Sequence, residues 1–229
     1  MKKAFTLLEL IFVIVVIGIL AAVILPNIKS NPLREAAVQL ISHIRYTQHL
    51  ALVNDRYDSN DAAWYKKRWR FSFNKGAGTN NMWSYTVWAD TSGSGSPDPA
   101  EIAVNPQSKS KRLTGGFNGT GFIHTGDNNA TNEMNLGEKY SVMDVTFSAP
   151  CRTGPASKSL AFDHFGRPLR GALENYTSAY NNTATTTNLL VSSQCQITLC
   201  SVSSCATATS EEKVVIAVEP ETGYAHILP

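Results

Sequence analysis

The chain changes hydropathic character twice. From Leu10 to Leu25 every residue is apolar or glycine, with no polar face at any helical angle. A helix from Phe5 to Leu25 would be about 31 Å long at about 1.5 Å per residue, enough to cross a hydrocarbon core. Pro26 ends this run and Pro32 follows it; a proline inside a helix removes a hydrogen bond and kinks or breaks it. From Leu33 the pattern becomes amphipathic. Leu33, Ala37, Leu40, Ile44, Thr47 and Ala51 recur at 3-4 spacing, and Ala36, Ile41 and Leu52 widen the stripe. Asn54 and Asp55 close it. One long interrupted helix is expected over residues 5–54: an apolar first part to residue 25, then an amphipathic continuation over 26–54.

Beyond Asp55 the period shortens to two. In WYKKRWRFSF (64–73), Trp69, Phe71 and Phe73 alternate with Arg68, Arg70 and Ser72, the pattern of a half-buried strand. MWSYTVWA (82–89) alternates likewise, and the linker NKGAGTN suits a hairpin. Further strands are expected at 101–105, 122–124, 142–147, 159–162, 195–200, 214–219 and 224–228. TSGSGSPDP (91–99), the Gly/Asn-rich segment 115–133 and the polar stretch 174–188 read as loops. The expected fold class is α+β: a long N-terminal helix, membrane-spanning in its first half, packed on an antiparallel β-sheet head over 55–229.

The 229 residues are 43% apolar, unevenly placed, and the formal net charge is +2, too small to imply a nucleic-acid partner. Within the apolar segment Glu9 is anomalous, since a carboxylate facing lipid is costly and marks a partner or a function. A secretory signal fits the basic start, but the run is too long for one. A plain anchor fits the length, with Lys2 and Lys3 holding the N-terminus in the cytoplasm, and leaves Glu9 as a tolerated carboxylate near the headgroups. A third reading accounts for every part. MKKA, then Phe5, Thr6, Leu7, Leu8 and Glu9 before an unbroken apolar helix, resembles the N-terminus of type IV pilins and pseudopilins.

That resemblance implies a leader at 1–4, cleavage between Ala4 and Phe5 by a prepilin peptidase, and N-methylation of the Phe5 amine. Glycine is usual before the cut, and here Ala4 stands instead. It also implies a single-pass inner-membrane protein with its head in the periplasm, becoming part of a filament after assembly. The implied partners are other pilin or pseudopilin subunits, the peptidase, the membrane and an inner-membrane assembly platform. In such a filament the Phe5 amine of one subunit can pair with Glu9 of a neighbour. A buried pair adds little net stability, but one unpaired buried charge costs several kcal/mol, so Glu9 would act as a register key and Pro26 as a joint. Two further segments, LAFDHFGRPL (160–169) and VVIAVEPETGYAHIL (214–228), resemble a turn and a closing hairpin of the H-type minor pseudopilins of type II secretion and of FimT-type minor pilins. The implied role is assembly in a secretion or pilus-like filament, or a competence or adhesive minor pilin whose head binds DNA or a surface. An uncleaved, anchored periplasmic enzyme is the rival from another class.

Candidate chemistry in the head is sparse. Cys151, Cys195, Cys200 and Cys205 are an even set in an exported domain, which suggests disulfides. Cys195 and Cys200 face opposite sides of one strand. Cys200 and Cys205 flank SVSS, a connection short enough to bring them together, which leaves Cys151 for Cys195. Zinc is the alternative, with poor spacing. KKRWR places Lys66, Lys67, Arg68 and Arg70 beside Trp69, either a sequence-blind nucleic-acid contact or a solvated strand face. DNNAT makes Asn129 an acceptor of the bacterial N-glycosylation type, or a chance match in an Asn/Thr-rich chain. Asp127, Asn128, Asn129, Asn132 and Glu133 offer oxygens for calcium without EF-hand spacing. His124, His164 and His226 are isolated, and no nucleophile, metal or phosphate motif is present. No enzyme activity, cofactor or metal is expected.

Overall fold

The computed structural model describes residues 6–24, 31–119, 121–182 and 187–229. The chain divides into two units, residues 1–31 and 32–229. The first contributes one described helix, α1 (Leu7–Ile24). Apolar side chains ring it, and Leu7, Leu8, Phe12, Ile14 and Ile17 are all exposed.

Among the described residues no helix is long and apolar enough to cross a membrane. Glu9 in the first turn of α1 shortens its uninterrupted apolar part. This corrects the membrane-spanning half expected over 5–25. With it go the single-pass inner-membrane placement, the periplasmic location of the head and the membrane as a partner.

The second unit opens with α2 (Pro32–Val53). Pro32 occupies the first helical position, where its missing N–H is harmless. The apolar stripe is buried as Leu33, Ala36, Ala37, Leu40, Ile41, Ile44, Thr47 and Ala51. Leu52, one step further round the helix, is 49% exposed instead. The strands follow as β1 (Arg70–Asn74), β2 (Ser84–Trp88), β3 (Val104–Asn105) and β4 (Ser108–Arg112). A short helix α3 (Leu136–Tyr140) precedes β5 (Asp144–Phe147), β6 (Ser159–Phe162), β7 (Pro168–Arg170), β8 (Asn181–Asn182) and β9 (Thr187–Asn188). The chain closes with β10 (Cys195–Cys200), β11 (Lys213–Val218) and β12 (Ala225–Ile227). All pairings are antiparallel. They build two four-stranded sheets, β2-β1-β6-β7 and β12-β11-β10-β5, and the two hairpins β3-β4 and β8-β9.

The α2 stripe shares one core with Phe71, Phe73 and Leu160 of the first sheet and Phe147, Ile197 and Ile216 of the second. Phe73 meets Phe147 edge to face across the sheets, ring centroids 5.8 Å apart, a favoured quadrupole arrangement. The other face of the first sheet is covered too. Tyr65, Leu169, Leu173, Tyr176 and Leu189 form a second, smaller core there with Ala161. Tyr176, Ala179 and Tyr180 of the stretch expected as a loop therefore pack into a lid over that face.

The outer strands of the second sheet carry a common feature. In β12 the residues bonded to β11 alternate with residues whose backbone faces outward. The outward carbonyl of Ala225 accepts a hydrogen bond from Arg45 Nη2 at 2.8 Å. At the opposite edge the outward carbonyl of Val145 in β5 accepts one from Lys158 Nζ at 2.7 Å.

Candidate assembly site

Of the residues expected to govern processing and assembly, Ala4, Phe5 and Pro26 lie outside the described residues. Glu9 is described, and the structure gives it a local partner. The Glu9 backbone N–H donates to Thr6 Oγ1 at 3.3 Å, and Glu9 Oε2 accepts from the Thr6 backbone N–H at 3.3 Å. The Thr6 hydroxyl also lies 3.4 Å from Glu9 Oε2. This is a reciprocal capping box, which satisfies two otherwise orphaned donors at the start of α1. The spacing Thr-x-x-Glu before an apolar run is its signature in the sequence. The carboxylate thus sits at the positive end of the helix dipole, at the head of a helix whose apolar surface is exposed.

The basic segment of the head folds differently from either expectation. Lys66 and Lys67 end a 3-10 turn over Trp64–Lys67, and Lys67 pairs with Asp61 at 2.8 Å. Arg68 is 3% exposed. Its guanidinium lies between the rings of Trp64 and Tyr180, 4.8 and 4.7 Å from their centroids, and Nη1 donates to the Ala179 carbonyl at 2.6 Å. Arg70 is 1% exposed; it pairs with Asp90 at 3.1 Å and Glu174 at 2.9 Å and stacks on Trp88 at 3.9 Å. Burial pushes both guanidinium pKa values down, while the neighbouring carboxylates oppose the shift at Arg70. Alternation did turn Trp69 and Phe71 to one side and the arginines to the other. The lid over the back of the sheet then buried the second side as well. Neither arginine presents its charge to a polyanion in this arrangement.

The four cysteines form two disulfides, Cys151–Cys195 and Cys200–Cys205. Asn129 is exposed in a turn, and Thr131 beside it is buried. The Thr131 hydroxyl donates to the Arg112 carbonyl at 2.7 Å and accepts from Asn105 Nδ2 at 3.0 Å. The acceptor motif at Asn129 is therefore half locked into the fold. The histidines stay apart. His124 Nε2 lies 3.0 Å from the Gly119 carbonyl, His164 rests against the Phe165 ring, and His226 Nε2 lies 2.9 Å from Glu219. Among the described residues no three His, Cys, Asp or Glu side chains converge as metal ligands.

Asp163 organises the turn after β6. It is fully buried and accepts from the backbone N–H groups of Phe165 and Arg167. It also pairs with the Arg167 guanidinium at 2.8 Å. From α2, Gln48 Nε2 donates to the carbonyls of Gly166 at 2.8 Å and Thr222 at 2.6 Å. One side chain thus holds the turn of the 160–169 segment and the turn of the closing hairpin to the same helix.

Residues 1–25 match the family model described as the prokaryotic N-terminal methylation motif. No curated protein and no solved structure matches the chain. The N-terminus is therefore prepilin-like, and the match stops at residue 25. An inner-membrane assembly platform, expected as a partner, finds no support in a helix that spans or in a structural relative.

Proposed function

We propose that this chain is a minor subunit of a type II secretion or type IV pilus-like filament, and that it acts by assembly. One observation carries the reading. The methylation motif contains a helix whose large apolar side chains are exposed from Leu7 to Leu20, with Glu9 at its first turn. Exposed apolar surface on this scale marks a site of association. Cleavage after Ala4 and methylation of the Phe5 amine would leave a cation at the tip of that helix. The carboxylate of Glu9 can exchange its capping contact, worth about 1 kcal/mol, for the amine of a neighbouring subunit. In the low dielectric between packed helices an unmatched charge costs several kcal/mol, so only the stagger that pairs Phe5 with Glu9 is populated. The clamp by Gln48 supports the assignment to a minor, H- or FimT-like class, because it unites the two segments that carry that likeness. The buried Arg68 and Arg70 favour a filament role over a DNA-binding head.

The test is substitution of Glu9 by alanine in cells that make the filament. Wild-type chain should be recovered in the sheared filament fraction, its mass beginning at Phe5 with one added methyl. Glu9→Ala should reduce recovery by at least about tenfold, as loss of a stabilisation above about 1.4 kcal/mol requires, while the head keeps both disulfides. Undiminished incorporation of the alanine variant would sink the register role.

A further inference from the structure

A polar cavity of about 510 Å³ opens between α2 and the β3–β4 hairpin, a volume typical of small-ligand sites. The hairpin is built to hold its shape. Asn105 pairs with Ser108 across the turn, and Asn105 Oδ1 accepts from the Gln107 backbone N–H at 2.8 Å. The helix side is fixed by a one-directional relay of hydrogen bonds. The Tyr140 hydroxyl donates to Gln39 Oε1 at 2.6 Å. Gln39 Nε2 then donates to the Tyr85 hydroxyl at 3.2 Å and to the Glu133 carbonyl at 2.8 Å. The Tyr85 oxygen is thereby an acceptor on one side, and its single proton goes to His43 Nδ1, 2.7 Å away. Tyr85 is fully buried, so this proton has nowhere else to point.

The consequence falls on the imidazole. Burial holds the His43 pKa down to about 4, so the ring is neutral at pH 7. A neutral imidazole that accepts at Nδ1 carries its proton on Nε2. His43 lines the cavity, and its Nε2–H has no acceptor among the described residues, so a fixed donor is offered there.

Two opposite charges line the same space. Lys111 comes from β4 and Glu133 from the turn before α3. Neither forms a salt bridge, with the other or with any third group, among the described residues. Ser42 and Gln107 add neutral hydrogen-bonding groups. No Phe, Tyr or Trp lines the cavity, so a nucleobase or a sugar ring has no stacking platform. A cation and an anion that face one polar cavity without satisfying each other complement a ligand that carries both charges.

We propose that this cavity binds a small zwitterion, a free α-amino acid or a short peptide, with its carboxylate on Lys111 and His43 Nε2–H and its ammonium on Glu133. The two sources share one chemistry, and chain length separates them.

Calorimetric titration of the full chain at pH 7 with glycine, triglycine, glycinamide and N-acetylglycine tests this. Glycine or triglycine should bind, and whichever binds more tightly identifies the source. Glycinamide lacks the carboxylate and N-acetylglycine lacks the ammonium, so each should bind at least about tenfold more weakly, the effect of losing one charge-assisted contact. Lys111→Met should abolish the preference for glycine over glycinamide. Glu133→Gln should abolish the preference over N-acetylglycine. Neither side chain is tied into the fold by an ion pair, so both variants should keep the wild-type near-UV circular dichroism. Silence from both zwitterions would overturn the proposal. Glycinamide binding as well as glycine, or affinities unmoved by both substitutions, would overturn it too.

Discussion

At the scale of single residues, His43 makes stability depend on pH in a known direction. Its pKa is about 4 in the fold and 6.5 as a free side chain. As pH falls below 6.5, the unfolded chain takes up the proton first, because the folded ring resists it. The stabilisation is fully present above pH 6.5 and is lost as pH falls toward 4. Its ceiling is about 3.5 kcal/mol, the fall from 6.5 to about 4 taken at about 1.4 kcal/mol per tenfold change in proton affinity. Carboxylates titrate in the lower part of this window, so the difference between chains isolates the histidine. Urea midpoints from pH 7 to pH 4 should fall more steeply for wild type than for His43→Gln. Parallel curves would show that the imidazole is not held neutral. The neighbouring residues teach a related lesson. Arg68 and Arg70 were placed on the correct strand face by alternation, yet nothing in KKRWR signals that the face is covered. That information lies more than a hundred residues on, where Glu174 meets Arg70 and Tyr180 meets Arg68.

At the scale of elements, Gln48 is the tie between α2 and two turns. Replacing it by alanine removes donors from the carbonyls of Gly166 and Thr222 and should cost about 1–3 kcal/mol. Hydrogen exchange should quicken at Gly166 and Gly223 and leave β10 protected; uniform acceleration through the domain would mean that the tie is not local. The expected elements divide along the same line. The stripe of α2, β6 over 159–162 and β10 over 195–200 were legible because their periods are sustained and their own side chains enter the main core. The strand expected at 122–124 did not form; that segment is held in irregular backbone by contacts such as Thr125 N–H to the Gly78 carbonyl. The strand β4 was hidden because SKSKR has no apolar face to alternate, and it exists by pairing with β3. The lid residues Leu173, Tyr176 and Leu189 were hidden because they are too sparse to show a period. Of the candidate site, Glu9 was legible from its charge in an apolar run. The cavity was not, since Gln39, Lys111 and Glu133 meet only through the tertiary fold.

At the scale of the molecule, the two disulfides differ in what they hold and in how they are reached. Cys151–Cys195 closes a span of 44 residues and Cys200–Cys205 one of 5. In the chain-entropy account these restrain the unfolded state by about 4 and about 2 kcal/mol. Cys151 and Cys195 are fully buried, whereas Cys205 is only half-buried. Mild reductant on the native chain should therefore open Cys200–Cys205 first and label the half-buried Cys205, with Cys151 and Cys195 modified only once the head unfolds. Peptide mapping reads the order, and early labelling of Cys151 would contradict it.

The two cations at the borders of the second sheet bear on how such a molecule can multiply. A strand border with open carbonyls recruits another strand, and a chain with two such borders can grow into fibrils without limit. Arg45 and Lys158 each occupy one outward carbonyl. Another strand approaching either border therefore meets one carbonyl that is already bonded. Two hydrogen bonds thus weigh against strand-to-strand growth from either border.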